Sequence, residues 1–316
     1  MTQTRSRFRR TALALAALAL LTVTFAGHAA ASPARASRAV WIWEPETFRL
    51  LDDVEYRSKV IRFFRERHVD RVYLYADEYK GRNPLRDTPE LYQSLVGELR
   101  GKGIDVHALL GSYYLKTETY VLPENQKAAR AMLRRVLHYN DTSKSPERFT
   151  GAHFDVEPHM LDAWKTDRVA LSVLFLERLD EWMTIASKSG LEVSAAVPFW
   201  LDRYEVEWRG HLCRMNEHVQ ATLDVVVLMD YRDKADGHDG ILRHAENELA
   251  WAAAHGKKVV IGLETGDSEP TKVTFLQEGN AALSREIANV EKALAGNQAF
   301  AGFAIHHLDT WMKLRE

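Results

Sequence analysis

Two carboxylates near the middle of the chain could carry acid–base chemistry. Asp155 and Glu157 lie at the end of the apolar segment Ala152–Val156, and such a segment predicts a buried strand. Alternate residues of a strand point to opposite faces, so His153, Asp155 and Glu157 are expected on one face. Two carboxylates on one buried face cost free energy unless they are paired or used. Each carboxyl raises the pKa of the other, which suits one of them to donate a proton, whereas an internal salt bridge with a nearby Arg or Lys is the alternative.

Polar and aromatic side chains also follow the ends of other apolar segments. Glu264 closes the segment Lys258–Leu263 and is a candidate nucleophile or base opposite Glu157. Aromatic rings with polar edges suit the faces of sugar rings, although ordinary core packing would use the same residues. The candidate substrate-binding residues are Trp43, Tyr75, Asp77, His107, Trp200, Asp230, Tyr231 and His306.

Eight apolar segments alternate with helical patterns and would have to position these side chains. The predicted strands are Ala39–Trp43, Arg71–Tyr75, Ile104–Leu110, Ala152–Val156, Glu192–Val197, Asp224–Met229, Lys258–Leu263 and Ala301–His306. The predicted helices include Val54–Glu66, Pro123–His138, Asp167–Lys188, Ile241–His255 and Ala281–Leu294. Buried strands that alternate with helices indicate a parallel sheet. Eight such units predict a single (β/α)8 barrel of the α/β class with a short last helix, and chemistry in this fold collects at the carboxyl-terminal strand ends.

The first 31 residues have a different composition from the rest of the chain. Four arginines precede an apolar run, Thr11–Ala26, which leads to the small residues Ala29–Ala31. This layout is typical of a secretory signal peptide, so we expect residues 1–31 to be removed and residues 32–316 to form the barrel catalytic domain, secreted or periplasmic. Arg9–Arg10 leaves the twin-arginine route possible. An uncleaved anchor is the alternative, but the run is shorter than the roughly 20 residues that span a bilayer.

Charge and cysteine content narrow the function classes further. The formal net charge is −2, and it becomes −6 when the four arginines of residues 1–31, which contain no acids, are removed. This acidic balance argues against a nucleic-acid partner and favours a neutral or amino-sugar glycan over an anionic polymer. The single cysteine, Cys213, excludes an intrachain disulfide and a cysteine-rich zinc site, and we expect it in a helical segment. We expect neither a cofactor nor stable membrane insertion after cleavage.

The segment Gly151–Glu157 resembles the fourth-strand signature of chitinase-type glycoside hydrolases, D-G-x-D-x-D-x-E. Gly151, Asp155 and Glu157 match this signature, whereas Thr150 and His153 stand where it has aspartates. The resemblance implies a sugar-acting barrel in which Glu157 is the general acid. Asp155 would raise the pKa of Glu157 and orient it.

Two further segments extend the resemblance. Met229 and Tyr231 match the M-x-Y-D motif of the same group, with Arg232 in place of its aspartate, and His306 stands where the group has a tryptophan on its eighth strand. The segment 156–158, Val-Glu-Pro, also resembles the N-E-P end of the fourth strand in the large retaining glycosidase clan. In that clan a second glutamate closes the seventh strand, which would give Glu264 the nucleophile's role.

The sequence therefore predicts an exported glycoside hydrolase that cleaves O-glycosidic bonds in a poly- or oligosaccharide by carboxylate general acid catalysis. A non-catalytic carbohydrate-binding barrel is the first alternative. A metal-dependent hydrolase or deacetylase that uses His107, Glu157, Glu264 and His306 or His307 is the second. Barrel hydrolases of that kind usually carry H-x-H on the first strand, where this chain has Trp-Ile-Trp.

Overall fold

Eight parallel strands form a closed barrel in the computed structural model, which describes residues 35–316. The barrel strands are β1 (Ser37–Ile42), β2 (Arg71–Tyr75), β3 (Asp105–Leu110), β4 (Gly151–Phe154), β5 (Glu192–Pro198), β8 (Val225–Met229), β9 (Lys258–Glu264) and β10 (Phe300–His306). Each strand pairs with the next barrel strand along the chain, and β10 closes on β1. This arrangement confirms the predicted (β/α)8 barrel. The expected signal peptide lies outside the described residues.

Helices follow the strands and cover the barrel. They are α1 (Glu44–Asp52), α2 (Val54–Arg67), α3 (Pro84–Asp87), α4 (Pro89–Gly101), α5 (Gln126–Thr142), α6 (Trp164–Ala186), α7 (Met215–Thr222), α8 (Ile241–His244), α9 (Glu246–His255), α10 (Gly279–Ala293) and α11 (Leu308–Lys313). The short last helix is confirmed by α11. One predicted helix, Ile241–His255, is divided at Ala245 into α8 and α9. Among the helices of residues 35–316, none is both long and apolar enough to cross a membrane.

Strand β4 is shorter than its apolar pattern predicted, and this matters for the site. The ladder ends at Phe154, so Asp155 and Glu157 belong to the segment that leaves the barrel. Phe154 faces the helices and stacks on Trp182 of α6, with ring centroids 4.1 Å apart. The alternation along β4 therefore turns His153 and Asp155 inward, as predicted.

The lumen of the barrel holds aromatic rings where branched aliphatic residues are usual. Trp41 is buried there and donates its indole N–H to His153 Nε2 at 3.0 Å. An indole N–H can only donate, so Nε2 accepts and His153 Nδ1 carries the proton that is donated to Ser194 Oγ at 2.9 Å. Burial lowers the pKa of His153 to about 3, so this ring is neutral. The lumen below the carboxylates is thus closed, with each of these polar groups hydrogen-bonded.

A hairpin that the sequence did not predict lies between β5 and α7. Its strands are β6 (Glu205–Trp208) and β7 (His211–Arg214), which pair antiparallel. The turn uses Arg209 and Gly210, with φ of 52° and 78°, a left-handed pair that matches the twist of a hairpin. The expectation that Cys213 lies in a helix is wrong, because it sits half-buried in β7.

Candidate active site

A cavity of about 760 Å³ opens at the carboxyl-terminal ends of the barrel strands. This is the face on which barrel enzymes carry their chemistry. Its lining residues come mainly from the segments after β1, β3, β4, β8 and β10. They are Trp43, Glu44, Ser112, Tyr113, Lys116, Thr117, Glu118, Asp155, Glu157, Met160, Met229, Tyr231 and His306. Five of the residues predicted for the site, namely Asp155, Glu157, Trp43, Tyr231 and His306, are therefore brought together.

Asp155 forms part of the cavity floor. Its backbone N–H donates to Leu110 O at 3.0 Å, which extends the β3–β4 ladder by one residue. The neighbouring residue is Gly111, where a Cβ would come within 2.2 Å of Asp155 O, so only glycine permits this approach. Burial raises the pKa of Asp155 well above its ordinary value, and the charge of Glu157 and a hydrogen bond with it add to the shift. This shift favours the protonated form of the Asp155 carboxyl.

Glu157 stands above Asp155 on the open side of the cavity. Its side chain is 31% exposed, and Oε2 lies 3.0 Å from Nε2 of His159. His159 in turn packs edge-on against Trp200, with ring centroids 5.3 Å apart. Trp200, predicted to bind substrate, is not among the lining residues and instead supports the position of His159. Glu157 is thus open to a ligand while its neighbour can donate a hydrogen bond to it.

A hydrogen-bonded chain crosses the other side of the cavity. Trp43 donates its indole N–H to His306 Nε2 at 3.0 Å, so Nδ1 carries the proton and donates to Glu264 Oε2 at 2.7 Å. The register of the barrel pairs His306 with Glu264 on adjacent strands. The backbone N–H groups of Thr265 and Gly266 donate to Oε1 of Glu264, at 2.8 and 2.6 Å. This chain fixes the tautomer of His306 and presents it to the cavity as a neutral ring.

Glu264 lies behind His306 and is not among the lining residues. Burial alone would raise the pKa of Glu264, but the hydrogen bonds from His306 and from the two backbone N–H groups hold it below its ordinary value. These three hydrogen bonds engage both oxygens of the carboxylate, whereas a nucleophile would need a free oxygen. Glu264 therefore contacts His306 and does not line the cavity itself.

Tyr231 supplies a hydroxyl next to these groups. Its ring centroid is 5.8 Å from that of His306. Burial raises the pKa of Tyr231 well above its ordinary value, and nearby carboxylates, first among them Glu264, raise it further. Tyr231 therefore remains a phenol that can donate a hydrogen bond to a bound sugar.

Glu44 is a site residue that the sequence reasoning missed. It is 8% exposed, lines the cavity, and accepts a hydrogen bond from Ser112 Oγ at 2.5 Å. Glu44 directly follows Trp43 at the end of the first strand. The rule that selected the other strand-end residues could have found it there.

Tyr75 and Asp77, both expected to bind substrate, lie outside the cavity lining. Tyr75 is fully buried and donates its hydroxyl to Glu78 O at 2.6 Å. Asp77 is 2% exposed and paired with Arg135, 2.6 Å from Oδ1, on helix α5. The chain has turned away from the barrel axis by Asp77, because this carboxylate is more stable against a guanidinium than unpaired at the mouth.

His107 and Asp230 also lie outside the cavity lining. His107 is buried against Gly151, where a Cβ would come within 2.4 Å of Nδ1, and burial lowers its pKa well below the ordinary value. Asp230 is fully buried and contacts His244 Nδ1 at 3.0 Å from Oδ1. Burial raises the pKa of Asp230 to about 6. Strand β8 ends at Met229, so the side chain of Asp230 points away from Tyr231 towards the helices.

The metal-dependent alternative required His107, Glu157, Glu264 and His306 or His307 to converge. Within residues 35–316, no three His, Cys, Asp or Glu side chains are placed to hold a metal ion. His107 is separated from the others by its burial beneath Gly151. The structure therefore does not assemble the ligand set that this alternative used.

Comparison with known proteins gives similarity in structure. Searches with the sequence match neither a protein-family model nor a curated protein. The fold is similar to a GH18 chitinase from Cycas revoluta, a variant solved in complex with (GlcNAc)4, with a TM-score of 0.53 and 11% identity over 88% of this chain and 96% of that one. It is also similar to a class V chitinase from Nicotiana tobaccum (0.51, 13%, 88% and 99%) and a chitinase from Chromobacterium violaceum (0.50, 12%, 88% and 97%). The chain thus has a chitinase-like TIM-barrel fold, as its fourth-strand segment predicted.

Proposed function

We propose that this protein is a glycoside hydrolase that cleaves O-glycosidic bonds in a poly- or oligosaccharide, with Glu157 as the general acid. The observation that carries the proposal is the pair of carboxyls in the cavity lining: Glu157 is 31% exposed, and the buried Asp155, whose pKa is raised, lies beside it. The fold shared with chitinases supports a carbohydrate substrate, since one of those chitinases was solved with (GlcNAc)4.

The first chemical step follows from this pair. Protonated Glu157 donates its proton to the glycosidic oxygen as the bond to the sugar breaks and an oxocarbenium-like centre forms. Glu157 becomes a carboxylate in this step, and the hydrogen bond from Asp155 stabilises the new charge. Tyr231 and the ring of Trp43 line the opposite wall, where a hydroxyl and an aromatic face can hold the sugar.

Replacement of the proposed acid tests this step directly. Glu157→Gln should lower kcat on a susceptible polysaccharide by about 10²- to 10⁴-fold, the usual contribution of general acid catalysis. An aryl glycoside with a good leaving group needs little protonation, so its hydrolysis should fall much less. The exposed Glu66 on α2, changed to Gln, serves as the control. If Glu157→Gln hydrolysed the natural linkage at the wild-type rate, the assignment of Glu157 as the general acid would be wrong.

A non-catalytic sugar-binding barrel is the second candidate. The observation in its favour is that both ring nitrogens of His306 are hydrogen-bonded within the protein. A binding protein would show affinity for a polysaccharide without turnover, and Glu157→Gln would leave that affinity unchanged. A glycosidase would release new reducing ends from the same polysaccharide.

We also propose that residues 1–31 direct export, so that the barrel works outside the cytoplasm, secreted or periplasmic. The arginine-rich start, the apolar run and the small residues before Ser32 support this proposal. Expression of the full chain in a bacterium with an intact export pathway should yield a mature protein that begins at Ser32. Retention of Met1 on the exported or membrane-bound protein would contradict it.

A further inference from the structure

We propose that the cavity selects an amino sugar with a free ammonium group, and that Glu44 binds this ammonium. This inference rests on the proposed glycosidase function. The substrate class would be a glycan that contains glucosamine or galactosamine units without N-acetyl groups. Glu44 would then determine specificity, whereas Glu157 carries the chemistry.

Glu44 is a largely buried carboxyl group whose position is fixed by a hydrogen bond. It is 8% exposed, and Ser112 donates to its Oε1. Ser112 is itself fixed, because its N–H donates to Thr117 Oγ1 at 2.8 Å and its Oγ accepts from Leu115 N at 3.1 Å. Ion pairs at the site involve Glu157 and Glu264, and none within residues 35–316 involves Glu44. A buried carboxylate without a cation costs free energy that a cationic ligand would recover.

The position of Glu44 favours its charged form. It is the first residue of the nine-residue helix α1, where the partial positive charge of the helix end stabilises an anion. Burial raises the pKa of its neighbour Asp155, which favours the neutral form of that carboxyl. Glu44 therefore places a carboxyl group at the positive end of a helix and in the cavity lining, where Ser112 supplies only a neutral hydroxyl.

The cations near the cavity do not cancel this charge. Four acidic residues line it, and the one basic lining residue, Lys116, is exposed at the rim. Arg232 follows Tyr231, but its guanidinium pairs with Asp239 at 2.9 Å and covers the ring of Phe199 at 5.1 Å. His306 is held neutral by its two hydrogen bonds. The field inside the cavity therefore attracts a cation and repels an anionic glycan.

The test measures binding separately from turnover. The full chain with Glu157→Gln is titrated calorimetrically, at mildly acidic pH, with tetrasaccharides of glucosamine or galactosamine and with the N-acetylated form of each. We expect one free-amine tetrasaccharide to bind about 10- to 100-fold more tightly than its N-acetylated form, the range expected of one hydrogen bond between charged groups. Adding Glu44→Gln, which keeps size and the bond from Ser112, should abolish this preference. Adding Glu66→Gln instead removes a distant charge and should preserve it.

Several outcomes would overturn the proposal. They are N-acetylated tetrasaccharides that bind as tightly as the free amines, no binding of either form, or a Glu44→Gln change that weakens both forms equally. Should Glu44→Gln prove unfolded by circular dichroism, Glu44→Asp, which keeps the charge but withdraws it from the ligand by one methylene, must still reduce the preference. Wild-type chain that cleaves no glycan yet shows the Glu44-dependent preference would reject the glycosidase and keep this inference. Cleavage of a glycan without this preference would reject the inference about Glu44 and keep the glycosidase.

Discussion

Two tryptophan–histidine pairs, built alike, lie one above the other in this barrel. In the lumen, Trp41 donates to His153 Nε2, and Ser194 accepts from Nδ1; at the mouth, Trp43 donates to His306 Nε2, and a carboxylate accepts from Nδ1. Both donor–acceptor distances from tryptophan to histidine are 3.0 Å. The two tryptophans are two residues apart and pack in one lumen cluster.

The pairs differ in the burial of the histidine and in a third member, the group that accepts a hydrogen bond from its Nδ1. His153 is fully buried and ends on a neutral hydroxyl, whereas the side chain of His306 is 24% exposed and ends on Glu264. A neutral third group leaves the lumen histidine as a packing element with satisfied polar atoms. A carboxylate third group orients the mouth histidine through a hydrogen bond from its Nδ1, an arrangement common at sites where a ring must keep one tautomer. The same local geometry therefore stabilises the fold in one layer and shapes the site in the next.

The largest contrast should appear when each tryptophan is removed. Trp41→Ala empties the centre of the lumen and leaves His153 Nε2 without a donor, so we expect unfolding free energy to fall by about 3–5 kcal/mol. Trp43→Ala opens onto water in the cavity and should cost less than half as much, while raising KM for the glycan. Urea denaturation with equal m-values measures the difference. Equal losses of unfolding free energy in the two variants would show that both pairs belong to the hydrophobic core.

Glu264 and Ser194, which accept from Nδ1 of the two histidines, give a smaller contrast. In Glu264→Gln, the backbone N–H groups keep the amide oxygen, so the new NH2 faces Nδ1 of His306 and forces the proton to Nε2, against the N–H of Trp43. We expect a loss of about 1.5–3 kcal/mol, as for other hydrogen bonds to charged groups, together with reduced kcat/KM. Ser194→Ala, the matched change in the lumen, should cost only about 0.5–1.5 kcal/mol and leave kcat/KM unchanged. A Glu264→Gln variant with normal stability and activity would show that the carboxylate does not set the tautomer.

The contrast between these layers also explains how far the sequence could be interpreted. Barrel strands are buried on both faces, so their apolar runs predict the eight strands and the inward direction of His153. Asp155, Glu157 and His306 lie within the strand or close to its end, where strand alternation still determines direction. This is why their common location could be predicted.

Prediction failed where a distant partner decides the direction of a side chain. Asp77 pairs with Arg135, 58 positions away, and Asp230 with His244 on a following helix. Nothing in the segments around these aspartates specifies those partners. Glu44 was missed for another reason, since it follows the predicted strand Ala39–Trp43 and begins helix α1, which the sequence patterns did not predict.

The smallest effect, measured per pH unit, tests whether the lumen histidine is held in its neutral form. The pKa of His153 is about 3 in the fold, below its ordinary value of about 6.5, so the unfolded chain binds the extra proton between these values. Stability from this group is therefore complete above about pH 6.5 and falls by up to about 1.4 kcal/mol per pH unit as pH drops towards 3. His153→Gln keeps an acceptor for Trp41 and a donor for Ser194 without titrating, so its stability should fall less steeply over this range in urea unfolding at stepped pH. The exposed His138→Gln is the control and should retain the wild-type slope. If His153→Gln also follows the wild-type slope, the lumen pair does not hold a neutral histidine.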